Sequence, residues 1–333
     1  MKLSDLYKQY LSGKLEKRKY IKMMHKKHRA LFDYFDYIKE TDVKSITIDN
    51  DSIYITVKGS DIKLLLDESD SRFIPIEMLN FRSIEPQEKK LVLSLASSCS
   101  TVFDIGANIG WYSLNFNLLP KVKRVYAFEP IPYTYDYLKK HILINGARKV
   151  SAFNFGFSDA AGGKTFYWTK DETGSSSMVN IRDRHKINKI KCQITTLDKF
   201  MENQRHDSPD FIKCDVEGAE LFVFKGGLNT LTIYKPIIFT EMLRKWSKKF
   251  GYHPDDIINL LSGLGYQCYG YVNNKIKRIG FIGPELETTN FFFFHETKHK
   301  NVIKKLAQYN NKIAQVQKHM RLFDKTKSHA TIQ

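Results

Sequence analysis

The 333-residue sequence predicts an α/β fold: a mainly parallel, Rossmann-like sheet with helices on both faces and an antiparallel edge, extended by helical N- and C-termini and a small β meander. Three observations carry this. Short apolar runs near residues 101 to 105, 123 to 128, 150 to 155, 209 to 214 and 235 to 240 alternate with amphipathic stretches, the rhythm of strands joined by helical crossovers. A glycine-bearing turn, Asp104-Ile105-Gly106-Ala107-Asn108-Ile109-Gly110, links the first of these runs to a helix starting near Trp111. Two later strand-like segments, near 267 to 273 and 288 to 294, are separated by turn-rich sequence and suit an antiparallel edge.

From the N-terminus, residues 16 to 39 read as one helix, because Tyr20, Met24, Leu31, Phe35 and Ile38 recur at steps of three, four or seven; the rest of its surface is mostly Lys and Arg. From Val43 to Leu66 the period changes to alternation (Ile46, Ile48, Ile53, Ile55, Val57). Asn50-Asp51 and Gly59-Ser60 supply turns, so this stretch predicts an antiparallel meander. A helix follows over 86 to 97, and the alternating α/β segment after it. Beyond His299, Val302, Leu306, Tyr309, Ile313, Val316, Met320 and Phe323 form a heptad seam. Three uses of that seam stay open: packing on the core, a homodimer through the terminal helices, or peripheral contact with an anionic membrane. The expected divisions are residues 1–84 as an N-terminal extension, 85–297 as the Rossmann-like domain and 298–333 as a basic helix.

The net charge of +17 suggests a nucleic-acid partner until it is divided along the chain. Residues 1 to 30 hold ten Lys/Arg against Asp5 and Glu16, and residues 298 to 333 hold nine against Asp324, so each end carries +8 and the body between them only +1. A balanced body has no excess charge with which to release counterions from a polyanion, and no nucleic-acid partner is expected. Cys99, Cys192, Cys214 and Cys268 lie far apart with no C-x-x-C pair, which suggests neither disulfides nor zinc. With no apolar stretch of signal-peptide or membrane-spanning length, the expected location is cytoplasmic.

The turn at 104 to 110 carries the first chemistry. Glycines at 106 and 110 permit close backbone approach, the following helix start offers free N–H groups, and Asp104 supplies a carboxylate for a ligand amine; Asn108 lies within the same turn. The spacing is G-x-x-x-G after an aspartate. A pyrophosphate-binding G-x-G-x-x-G is absent, and the turn suits an amino-acid moiety better. Glu129 ends the next strand, nineteen residues after Gly110, where an acid can accept from both hydroxyls of a ribose. Ser158 and Asp159, after the third strand, form either an adenine contact or a plain turn.

Residues 102 to 242 resemble the FkbM-type methyltransferase family, in V-F-D-I-G-A-N-I-G-W-Y-S, A-F-E-P, T-T-L-D, F-I-K-C-D-V-E-G-A-E and the strand ending in Glu241. Cys214 stands where a β-branched residue is commoner in that motif. The resemblance implies a class I methyltransferase fold, S-adenosylmethionine as methyl donor, and a hydroxyl acceptor on a sugar or natural product. It assigns cofactor binding to Asp104, Gly106, Asn108, Gly110 and Glu129. Trp111 and Tyr112 begin the next helix, where either ring faces the sulfonium or packs in the core.

Methyl transfer from a sulfonium is an in-line displacement, so positioning the acceptor oxygen can supply roughly 7–11 kcal/mol. A base that takes the hydroxyl proton adds about 10²- to 10⁴-fold. Asp215, just past the strand 211 to 214, is the first candidate. Glu217 and Glu220 serve there either in the site or as helix N-terminal acids, and Glu241 is the second candidate. These carboxylates together could hold a divalent cation, although no histidine stands in the motif, and no metal site is expected. His253 and His185 are the remaining candidate bases, each equally readable as an exposed loop histidine. The serine-rich stretch 170 to 190 is expected to close over the acceptor. The expected activity is O-methylation of a sugar hydroxyl in a polysaccharide, lipopolysaccharide or glycosylated metabolite, with a small-molecule or glycan partner. A nucleotide-dependent oxidoreductase and a recruitment module built on a methyltransferase fold are the competing readings.

Overall fold

The computed structural model describes residues 1–202, 207–272 and 275–306, and divides into two compact units, Met1–Ile84 and Glu85–Gln333. In the first unit, helices α1 (Leu3–Leu11), α2 (Lys17–His28) and α3 (Ala30–Tyr37) precede three strands, β1 (Val43–Ile48), β2 (Ile53–Val57) and β3 (Lys63–Leu65), and a closing helix α4 (Ile74–Phe81). The strands pair antiparallel in sequential order, the meander that the alternation predicts. The single helix expected over 16 to 39 is instead α2 and α3, separated at Arg29. The backbone there stays helical (φ −55°, ψ −30°), so the course is nearly continuous. Its apolar positions do not find a core: neither α2 nor α3 contains a buried residue.

The second unit opens with α5 (Pro86–Ala96) and then lays down β4 (Thr101–Ile105), α6 (Trp111–Leu118), β5 (Arg124–Phe128), α7 (Pro132–Ile144) and β6 (Val150–Phe153). A small sheet follows, made of β7 (Gly156–Phe157), β8 (Gly162–Trp168) and β9 (Asn188–Thr195) in the order β7-β9-β8. The chain returns through α8 (Leu197–Met201) to β10 (Phe211–Cys214), α9 (Glu220–Lys225), α10 (Leu228–Tyr234) and β11 (Ile237–Glu241). It ends in α11 (Arg244–Ser247), α12 (Pro254–Gly263), β12 (Tyr266–Val272), β13 (Lys275–Arg278) and β14 (Asn290–His295), with a last described helical stretch over residues 300 to 306. Most of the heptad seam lies outside the described residues.

The main sheet has eight strands in the order β13-β12-β14-β11-β10-β4-β5-β6. β6, β5, β4, β10 and β11 run parallel, and β14 is antiparallel to both β11 and β12. This is the Rossmann-like α/β sheet with its antiparallel edge. β14 lies inside that edge: Phe291, Phe292, Phe293 and Phe294 are each at most 1% exposed, as an unbroken apolar run requires when both faces of a strand are covered. The chain moves outward from β4 to β6 and then crosses back to place β10 on the other flank of β4. Between β4 and β10 the winding reverses, and at such a point helices on opposite faces leave a crevice at the carboxyl ends of the strands.

Candidate active site

The loop leaving β4 is shaped by backbone demands. Gly106 has φ +73° and Asn108 φ +51°, both in the left-handed region. The N–H groups of Gly106 and Ala107 both donate to the Phe128 carbonyl, at 3.0 and 2.9 Å, tying the loop to the end of β5. A Cβ on Gly106 would lie 1.8 Å from the Asp215 carbonyl oxygen, so the loop packs backbone to backbone on the end of β10. Gly110, at φ +91°, caps α6, and a Cβ there would meet the Leu138 side chain at 2.6 Å. Gly106 and Asn108 line the cleft; Gly110 does not, and its glycine is required by helix packing.

Glu129 follows β5 and is only 6% exposed. Its Oε2 accepts from Asn108 N at 3.0 Å and its Oε1 from Ile131 N at 2.9 Å. Burial pushes its pKa up to about 7, against the pull of those two backbone donors. Each carboxylate oxygen has two lone pairs and accepts one of these bonds, which leaves acceptor capacity on both oxygens. Glu129 forms part of a cleft of about 650 Å³ including its open mouth, with Ile131, Phe157 and Phe166 as apolar walls and Asp215, Val216 and Glu217 on the β10 side.

Beneath this loop lies a lysine to which the motif reading assigned no role. Lys213 and Asp104 are register partners on β10 and β4, 4% and 0% exposed, with Nζ 3.4 Å from Asp104 Oδ1 and 3.4 Å from Asp215 Oδ2. Nζ also donates to the Gly106 carbonyl at 2.8 Å. Burial alone would lower the lysine pKa, but the Asp215 and Asp104 carboxylates outweigh it and hold the ammonium above its usual value. Asp104 accepts from Ser113 Oγ at 2.6 Å and does not line the cleft. In the structure it anchors Lys213 and the loop, with Oδ1 making no hydrogen bond.

On the far side, carboxylate oxygens of Asp215, Glu217 and Glu241 lie within 4.8 Å of one another. Glu217 sits at φ +55° just past β10, and Glu241 ends β11, where Thr289 Oγ1 donates to it at 3.3 Å. Burial, followed by the charge of Asp215, raises the Glu241 pKa to about 8; the same causes, with Glu241 added, lift Glu217 well above the carboxylate range. Glu217 and Glu241, partly buried beside one another and beside Asp215, resist joint ionisation and favour a proton on that pair near neutral pH. An all-oxygen set of this kind also suits a hard divalent cation. Glu220 belongs elsewhere: 2% exposed, its Oε1 accepts from Val216 N and Gly218 N at 3.0 and 3.2 Å, so it braces the turn before its own helix.

The serine-rich segment bounds the cleft, with Thr173, Gly174, Ser176 and Met178 in its lining. Ser177 Oγ donates to the Glu217 carbonyl at 2.8 Å, and Tyr167 and Ser177 exchange backbone bonds at 2.8 and 3.1 Å. At its base Arg182 pairs with Glu172 at 2.7 Å, and Arg184 contacts Glu172 and donates to Thr169 Oγ1 at 3.0 Å.

Several expected residues are not brought to the cleft. Trp111 is 2% exposed under the Lys89 ammonium, 4.9 Å from its ring centroid, and Tyr112 donates its hydroxyl to Glu85 at 2.8 Å; both are core residues. Ser158 donates to Asp159 Oδ1 at 3.1 Å, and neither lines the cleft, where the preceding Gly156 and Phe157 stand instead. His253 caps α12: its Nδ1 accepts from Asp255 N at 3.3 Å while Asp256 takes the His253 N–H at 3.0 Å. His185 is exposed on the loop. Phe157, Phe166 and Met178 escaped motif reading because an apolar wall has no local signature. Lys213 did have one, as the lysine of K-x-D on a strand otherwise fully apolar.

Residues 104–268 match the model of the Methyltransferase FkbM domain. The chain is 27% identical over 176 residues to the hexuronic acid methyltransferase AglP of Haloferax volcanii, covering 52% of this chain and 66% of that protein. It is 29% identical over 153 residues to the methyltransferase sdnD of Sordaria araneosa, covering 38% and 59%. The chain thus spans about three fifths to two thirds of the length of these relatives. Among solved structures, an FkbM methyltransferase from Methylobacillus flagellatus aligns at 18% identity and TM-score 0.39, covering 65% of this chain and 52% of that one.

Proposed function

We propose that the protein, whose residues 104–268 match the model of the Methyltransferase FkbM domain, is an S-adenosylmethionine-dependent O-methyltransferase acting on a sugar hydroxyl. The observation that carries this is the convergence, in one cleft at the winding reversal, of a buried acid with spare acceptor capacity and two further carboxylates, Asp215 and Glu217, which cluster with Glu241. The residues fit the cofactor. Glu129 has one open acceptor position per oxygen for the two ribose hydroxyls, and Gly106 keeps the loop free of a side chain where it closes on β10. When bound there, S-adenosylmethionine supplies an electrophilic methyl group.

The chain's own residues then do the rest. Asp215, Glu217 and Glu241 orient the acceptor hydroxyl and take its proton, while the 173 to 178 segment limits water. In this reading the cluster handles the proton without a divalent cation, so chelation leaves the rate unchanged. A sugar acceptor is supported by the archaeal relative, a hexuronic acid methyltransferase. The test is calorimetric titration with S-adenosylhomocysteine and with NAD, repeated on Glu129→Ala. Micromolar binding of the homocysteine ligand, lost in the variant, is expected. Binding of NAD alone would replace the reading with an oxidoreductase.

A further inference from the structure

We propose that the Met1–Ile84 unit is a docking module for anionic lipid bilayers, with α2 and α3 lying on the membrane surface. The first support is the lack of burial: α2 and α3 together present twenty helical residues, and not one is buried. Short helices are marginal in water and normally gain their stability by burying an apolar face; this pair is held by contacts such as the Tyr10–Tyr20 stack at 4.6 Å and the Tyr37 hydroxyl bond to the Leu79 carbonyl at 2.6 Å, with no buried face. Leu31, Phe32, Tyr34 and Phe35 are 57%, 68%, 49% and 62% exposed, and Ile48 and Ile53 of the meander 64% and 44%. Contiguous exposure of large side chains on this scale marks an interaction surface.

The second support is the pattern of charge around that surface. Leu31, Tyr34, Phe35 and Ile38 follow the one-face spacing of a helix and line a groove of about 1750 Å³, including its open mouth. The groove is also lined by Lys27, Lys39, Lys44 and Lys58 and by no carboxylate; Asp33 and Asp36 fall on the opposite side of α3 by the same spacing. Lys39 and Lys44 are engaged with Asp36 and Asp61 at 2.7 Å, but these exposed pairs are weak and exchangeable for other anions. Preceding the groove helix, residues 1 to 30 carry +8. An apolar floor rimmed by lysines and flanked by a basic helix matches the acyl boundary and headgroups of an anionic bilayer.

Charge also selects against other occupants. Residues 298 to 333 carry +8 as well, so the chain's own C-terminal segment would bring like charge onto the arm, as would a second copy docking face to face. No described helix is long and apolar enough to cross a membrane.

The test is co-sedimentation of the full chain with phosphatidylcholine vesicles and with phosphatidylcholine–phosphatidylglycerol vesicles. Three variants accompany it: Leu31→Glu/Phe35→Glu, Lys19→Glu/Lys22→Glu/Lys26→Glu, and Lys318→Glu/Arg321→Glu/Lys325→Glu. Circular dichroism and S-adenosylhomocysteine titration monitor folding. The expected result is binding to the phosphatidylglycerol vesicles only, weakened at least tenfold by each of the first two variants and by added salt, and retained by the third. Absence of binding, equal binding to neutral vesicles, or loss in the third variant alone overturns the proposal. So does a concentration-dependent dimer, dissolved by Leu31→Glu/Phe35→Glu, that fails to bind vesicles.

Discussion

Lys213 Nζ lies 3.4 Å from Asp104 Oδ1, a buried ion pair joining β10 to β4 directly under the loop whose Gly106 carbonyl the same ammonium bonds. Removing one partner of such a pair strands a charge. Lys213→Met should therefore cost about 3–5 kcal/mol of stability, read from urea unfolding, and weaken S-adenosylhomocysteine binding by displacing the loop. Lys213→Met/Asp104→Asn, which removes both charges, should recover much of the stability. Additive losses in the double variant would mean that the pair is not coupled.

The two glycines of the loop should respond differently to substitution. Gly106→Ala places a methyl 1.8 Å from a backbone oxygen, which cannot step aside, and should abolish cofactor binding or folding. Gly110→Ala meets only the tip of Leu138 and a left-handed backbone costing roughly 1–2 kcal/mol, so it should fold and bind with a modest loss. Calorimetry on both variants checks the contrast.

The raised carboxyl pKa values fix the direction of a pH dependence. Burial lifts Glu129 and Glu220 to about 7 and Glu241 to about 8, from 4.5. Between 4.5 and those values the folded chain holds protons that the unfolded chain has released, so this stability is complete below pH 4.5 and is lost as pH rises to about 8. The ligand-free melting temperature should fall between about pH 6.5 and 8; below 6.5 buried His141 and His299, lowered to about 4, act in the opposite direction. S-adenosylhomocysteine, whose ribose hydroxyls favour ionised Glu129, should bind with proton release below about pH 7, measurable in buffers of different ionisation enthalpy.

Asp215 should set the titration of its neighbour. Its charge follows burial among the causes that raise Glu241, so Asp215→Asn should move the Glu241 midpoint below about 8. Carboxyl-carbon NMR follows this directly, and an unmoved midpoint would remove Asp215 from the cluster's proton equilibrium.

His253→Ala separates a helix cap from a general base. Loss of the α12 cap should cost about 1 kcal/mol and leave cofactor binding, and methyl transfer once an acceptor is in hand, unchanged. A collapse of turnover with normal stability would restore the histidine as a catalytic candidate.

The sequence by itself determined the elements whose cause is local. The parallel strands fall within two or three residues of the apolar runs that predict them, because a run covered on both faces must be apolar throughout. The 104 to 110 turn and Glu129 were legible for the same kind of reason: left-handed backbone selects glycine or asparagine, and an acid at a strand end is visible against apolar neighbours. Tertiary structure alone decided what meets what. Asp104 and Lys213 are 109 positions apart, yet strand order makes them partners; Asp215 and Glu241 converge because β10 and β11 end side by side. Periodicity correctly marked the apolar stripe of residues 20 to 38, but could not say whether anything covers it, since it records the preference of a face and not the presence of a partner. The split of Trp111 and Tyr112 into the core, and of His253 into a cap, was likewise settled by the crossing of distant segments, which no local pattern encodes.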